Sequence, residues 1–206
     1  MMRLYKPMVA LCAAATLSAC SVLPESQPPR IVGLENGHED RSFKQSRPVS
    51  LRVDTPVASA PFDSNLVLVQ PESWEYQALP DVRWRDSMPA VIRDRLIRAL
   101  RASNGFKRIV AANSAANAEF SLLSELTAFH ASTGSGETTV TLAMHFELME
   151  NRTRQTRCTH EETLEIHADN TRLPSLMAAF SKGSHQLSES TVSWAHDCLA
   201  GTVKVK

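Results

Sequence analysis

Residues 138–149 read Thr-Thr-Val-Thr-Leu-Ala-Met-His-Phe-Glu-Leu-Met, and no other stretch constrains the fold as tightly. Val140, Leu142, Met144, Phe146 and Leu148 fall on every second position, with Thr139, Thr141, His145 and Glu147 between them. Strand side chains alternate between faces, so this pattern demands a strand with one buried and one wet side; a helix would scatter the same apolar residues around its axis. Residues 119–129 lead into it through the flexible turn Ser132-Thr133-Gly134-Ser135-Gly136, and residues 154–167 leave it through Asn151-Arg152. The three segments predict an antiparallel meander with one buried face. In the third, Cys158, Leu164 and Ile166 share a face because all have even numbers.

A sheet wet on one side needs a cover on the other, and two segments have the helical period to supply it. The first opens with Asp86 as a cap and Pro89 in its first turn, and stops at Asn104-Gly105. Met88, Val91, Ile92, Leu96, Ala99 and Leu100 lie on one side of it, while Arg93, Asp94, Arg98 and Arg101 lie in water. The second spans residues 172–199, with Leu173, Leu176, Met177, Phe180, Leu187, Trp194 and Cys198 on or near one stripe. Gly183 and Ser184 in its middle allow close passage over a neighbour, although Gly costs about 1 kcal/mol against Ala in a helix.

Further strands are expected at residues 49–53, 66–69 and 107–111. Residues 74–84, carrying Trp74, Tyr76, Val82 and Trp84 around Pro80, read as an irregular extended pair. The expected fold is α+β: a two-layer sandwich, with a mostly antiparallel sheet of five or six strands and two amphipathic helices on one face. Cys198 on the core side of the last helix and Cys158 on the core side of a strand make a disulfide geometrically reasonable. Closing that loop is worth about 4 kcal/mol in the chain-entropy model. Two unpaired buried thiols are the alternative. Without CxxC or Cys/His spacing, these thiols are not a metal site.

The N-terminus sets the context of this domain. Arg3 and Lys6 precede an uncharged run at residues 8–17, too short to cross a bilayer and characteristic of a secretory signal. It ends in Leu17-Ser18-Ala19-Cys20, which resembles the bacterial lipobox and implies lipidation of Cys20 with cleavage before it. An ordinary signal cleaved after Ala19, with Cys20 incidental, is the other reading. The expected organisation is a lipoprotein signal at 1–19, a lipidated Cys20 and flexible tether at 20–48, and one domain at 49–206. Pro24, Pro28 and Pro29 discourage regular structure in the tether, and only residues 30–34 look like a strand, at an edge. Several acyl chains hold such a protein essentially permanently, whereas one binds marginally. With the signal removed, 20 basic side chains face 22 acidic ones. No basic patch stands out, so nucleic-acid binding has no electrostatic footing.

Residues 51–58, Leu-Arg-Val-Asp-Thr-Pro-Val-Ala, are followed by Phe62-Asp63-Ser64-Asn65 before an apolar strand. Arg83-Trp84 then precedes Met88-Pro89 and Arg95-Leu96-Ile97, and the last helix carries Ala179-Phe180 and Trp194. In this order and spacing the chain resembles the ABC-type transport auxiliary lipoproteins over residues 49–194. The resemblance implies an outer-membrane lipoprotein facing the periplasm, without enzymatic activity. It implies as partners a mammalian-cell-entry (MCE) domain protein and an inner-membrane ABC permease with its ATPase, moving lipid between the two membranes. It also allows a homo-oligomeric ring. Ser21 after the lipidated cysteine fits outer-membrane sorting, and residues 35–47 lengthen the usual spacer. A scaffold lipoprotein serving an outer-membrane protein or a polysaccharide exporter is the alternative function.

Sequence chemistry adds little. There is no GxSxG, P-loop or HExxH, so neither a periplasmic hydrolase nor a cofactor has a motif behind it. His145 and Glu147 share a polar strand face, as do Glu161, Glu165 and His167; a solvated sheet face accounts for them better than a metal. Trp74, Tyr76 and Trp84 are the aromatics expected at the surface, either as interface anchors or as packing over the first helix.

Overall fold

The computed structural model describes residues 27–35, 41–134 and 136–202. In chain order its elements are β1 (Arg30–Val32), β2 (Arg47–Val53), β3 (Val57–Ala58), β4 (Leu66–Glu72), β5 (Glu75–Trp84), α1 (Met88–Ala102), β6 (Phe106–Ala111), β7 (Phe120–Ser132), β8 (Thr138–Glu150), β9 (Gln155–Ala168) and α2 (Leu173–Cys198). Lipobox residue Cys20 and the signal before it lie outside the described residues.

β7 is the spine of the sheet. On one edge it pairs antiparallel with β8 from Phe120↔Glu150 to Ser132↔Thr139, and β8 pairs antiparallel with β9. On its other edge three short strands take turns, all parallel: β2 at Leu51↔Phe120, β3 at Val57↔Glu125 and β4 at Val69↔Ala131. β2 extends the sheet parallel to β6, while β4 extends it through an antiparallel hairpin to β5 and then to β1, parallel at the edge. The sheet is therefore mixed and nine-stranded. This corrects the expectation of five or six mostly antiparallel strands. A hairpin announces itself by the turn between its strands, whereas parallel neighbours are joined through distant chain and leave no local signal. β3, at two residues, is too short to show a period, whereas β1 falls within residues 30–34, expected as an edge strand.

One hydrophobic core lies between sheet and helices. The even residues of β8 from Val140 to Leu148 are all buried and share one core with Leu51, Leu122 and Leu126 of the sheet and with the two helices. α1 buries the six predicted residues, and Arg95 with them. Its N-cap is Ser87, one residue after the expected Asp86, whose Oδ1 instead accepts from the Ser87 N–H at 2.7 Å. Asn104 takes a left-handed φ of 52° and ends the helix. Gly183 lies where α2 crosses β8 and β9: a β-carbon there would sit 2.8 Å from Leu142 Cδ1 and 3.1 Å from Ile166 Cγ1. Residues 75–84, expected to be irregular, form one strand that bends at Asp81, which has a φ of 55°.

Two pieces of the segment expected as tether are docked on the body. β1 covers the edge of β5, and the Glu35 N–H donates to Ser181 Oγ at 3.0 Å while its carbonyl accepts from Arg95 Nη1 at 3.0 Å. Arg95 is only 1% exposed, with its Nη2 2.9 Å from His185 Nδ1. Further on, Phe43 stacks on His196 at 3.6 Å and its N–H donates to the Ser103 carbonyl at 2.8 Å. Arg47 Nε donates to the His196 carbonyl at 3.1 Å, and Nη2 lies 3.3 Å from His196 Nδ1. Because His196 Nε2 reaches the Gln45 carbonyl at 3.2 Å, its hydrogen is on Nε2 and Nδ1 accepts from Arg47. The folded unit thus begins well before residue 49.

Candidate functional site

A groove of about 1290 Å³ lies on the wet side of the sheet, where β2, the start of β7 and the β8–β9 turn meet. Asn117 and Ala118, at the end of the 112–118 loop, form part of its wall, and Arg52 holds that loop in shape. Arg52 Nη1 donates to the carbonyls of Ala111 (3.2 Å), Ala112 (3.0 Å) and Ser114 (3.2 Å), and Nη2 donates to Ala116 (2.6 Å). These bonds fit the planar fork of a guanidinium, which Lys lacks. Glu119 ties the same corner to β2, accepting from Ser50 N at 2.8 Å and Ser50 Oγ at 3.1 Å. Asn151 closes the far side through Nδ2 to the Ala118 carbonyl at 2.9 Å.

Asp54 and three arginines, Arg152 and Arg154 at the β8–β9 turn and Arg157 at the start of β9, also line the groove. Burial pushes the Asp54 carboxyl above its ordinary value, and the Arg52 charge offsets part of that rise. Arg154 holds a φ of 60° where its N–H closes the turn on the Glu150 carbonyl at 2.8 Å. Arg152 reaches Glu150 at 3.4 Å with its side chain 82% exposed, a contact of little energetic weight. Chemically, the groove offers exposed guanidinium donors along one rim. Sequence reading missed it because its walls are far apart in the chain. The only local hint is Arg at 152, 154 and 157 around one turn.

The residues singled out from sequence are scattered. Trp74 is 79% exposed at the tip of the β4–β5 hairpin, and Tyr76 is 41% exposed on β5. Trp84 is not at the surface: it is 1% exposed, edge-on to Phe129 at 5.7 Å and Phe180 at 5.4 Å. Parity within β5 is misleading for this trio because the strand bends between Tyr76 and Trp84. Tyr76 is edge-on to Phe62 (5.3 Å) and His130 (5.2 Å), and His130 is buried enough that its proton affinity falls below the ordinary histidine range. Cys158 and Cys198 are joined by a disulfide with Cα atoms 6.3 Å apart, tying β9 to the end of α2. His145 and Glu161 face each other at 3.5 Å. Among the described residues no three His, Cys, Asp or Glu are placed to hold a metal ion, and no helix is long and apolar enough to cross a membrane.

Together these features define a two-layer α+β domain with a polar groove and an N-terminal segment clamped to its helices. The chain belongs to the family of ABC-type transport auxiliary lipoprotein components, whose sequence model matches residues 34–192. Its fold is similar to that of a protein from Xanthomonas campestris, at a TM-score of 0.72 and 19% identity over 82% of this chain and 96% of that one. A second crystal structure, of an uncharacterized protein, matches at a TM-score of 0.64 and 15% identity over 82% and 99% of the two chains. At these identities the likeness is one of fold. No curated protein sequence matches this chain.

Proposed function

We propose that this protein is a periplasm-facing outer-membrane lipoprotein, anchored through Cys20, that serves as the non-enzymatic auxiliary component of an MCE-type ABC system carrying lipid between the membranes. The observation that carries this reading is the family match over residues 34–192 downstream of Leu17-Ser18-Ala19-Cys20. Membership implies association with a transporter. The Cys158–Cys198 disulfide fits an oxidising compartment such as the periplasm. Ser21, rather than Asp, fits sorting to the outer membrane. The domain works by docking, and the MCE-domain protein with its permease and ATPase are its partners; a homo-oligomeric ring is the form in which it meets them.

Two measurements test this. Labelled palmitate enters the wild-type protein and is absent from Cys20→Ala, which leaves the outer-membrane fraction. Cross-linking in intact envelopes followed by purification of the lipidated protein recovers an MCE-domain protein. Recovery of an exporter or a barrel protein in its place, or of the chain alone, overturns the transport reading.

A further inference from the structure

Trp74 is the largest exposed apolar side chain in the described structure, and it stands at the apex of a hairpin. Tyr76, two residues on, leans on Phe62 and His130; no such aromatic contact holds Trp74 among the described residues. The direction of the N-terminal segment says what such a tip faces. β1 runs parallel to β5, with Arg30 level with Val82 and Val32 level with Trp84. Going backwards from Arg30, the chain therefore heads along β5 toward Glu75 and the tip. Pro28 and Pro29 follow one another there, and their fixed φ keeps that stretch extended rather than turning it back. From the level of Val82 to Trp74 is at most about 26 Å at 3.3 Å per residue. From Arg30 back to Cys20 the chain spans at most about 33 Å. That reach is enough to place Cys20 level with the hairpin tip, with about 7 Å over.

We propose that the β4–β5 hairpin tip, with Trp74 at its apex, rests in the interfacial layer of the bilayer that holds the Cys20 anchor. This rests on the anchor reading above and adds a second contact to it. An indole is suited to the place, since its ring is apolar and its N–H still finds a partner among headgroups. Glu72 and Glu75 flank the tip and stay on the water side, so the surface that fits best is zwitterionic rather than strongly anionic. The contact orients the domain: the long axis of β5 stands up from the membrane, and the opposite end of the sheet, with the arginine-rimmed groove, faces away from it.

The test uses the lipidated full chain in phosphatidylcholine vesicles, with and without brominated acyl chains that quench nearby indoles. Flotation reports the anchor and emission reports the tip. Floated wild-type protein is expected to lose roughly a third of its emission, the share of one tryptophan in three. Trp74→Phe, a change confined to an exposed apex, is expected to float equally and show no quenching. A wild-type protein that floats but is not quenched overturns the proposal and leaves the anchor standing, as expected if the tip instead binds protein. Quenching that persists in Trp74→Phe also overturns it. Failure to float overturns the anchor reading, and the tip proposal with it.

Discussion

Along its β8 edge, β7 is matched from Phe120↔Glu150 to Ser132↔Thr139 with one bulge near Leu126, and β8 is matched to β9 in the same way. Along its other edge the same strand is shared among β2, β3 and β4, each holding it for two or three residues. The first flank is two long hairpins whose partners are close in sequence. The second is a patchwork that needs Arg52, α1 and the docked N-terminal segment to keep its pieces in register. The comparison teaches that the ladder holds one flank while side chains and crossings hold the other.

Replacing Trp84 tests this most severely. It belongs to the patchwork flank but packs on Phe129 of the spine and Phe180 of α2. Trp84→Ala is expected to cost about 3–5 kcal/mol in urea denaturation. Hydrogen exchange should quicken first in β1, β4 and β5, with β8 and β9 remaining protected; equal loss in both flanks would break the distinction. Replacing both Cys158 and Cys198 by Ser acts on the hairpin flank and should cost about 2–4 kcal/mol, with exchange quickening in β9 and the end of α2. Gly183→Val drives two methyl groups into Leu142 and Ile166, and the overpacking should lower stability by about 1–3 kcal/mol. The smallest effect is pH-dependent. Burial holds the proton affinity of His130 below its unfolded value, so the folded state carries fewer protons just below pH 6.5. Its contribution therefore falls as pH drops through that window and is regained as pH rises. The stability of His130→Leu should decline less than that of the wild type between pH 7 and 5.

The two flanks were also unequally legible. In β8 the parity of Val140 to Leu148 is sufficient, because a hairpin strand carries its own pattern and its turns lie beside it. The helical stripes in α1 and α2 read well for the same reason, since period and caps are local. Parallel partners such as Leu51 and Phe120 meet only after the intervening chain has crossed the sheet, so no residue near either one predicts the pairing. Arg95 misleads in another way: its charge argues for water, yet the Glu35 carbonyl and His185 receive it in the interior. The groove fails on both counts, being assembled from distant segments by Arg52, whose role rests on carbonyls that carry no sequence signature. Trp74 and Trp84, both expected at the surface as anchors or as packing over the first helix, part company at Asp81, a left-handed residue that no pattern around Pro80 foretells.

β1 has a mechanical meaning. Its three residues lie parallel to β5 at the point where the N-terminal segment joins the body. Tension arriving through that segment runs along the strand, and the ladder is loaded in shear, with its evenly spaced bonds sharing the force. A hairpin pulled from its open end would instead unzip one bond at a time. The short edge strand is thus a strain relief, resisting a steady pull better than its length suggests.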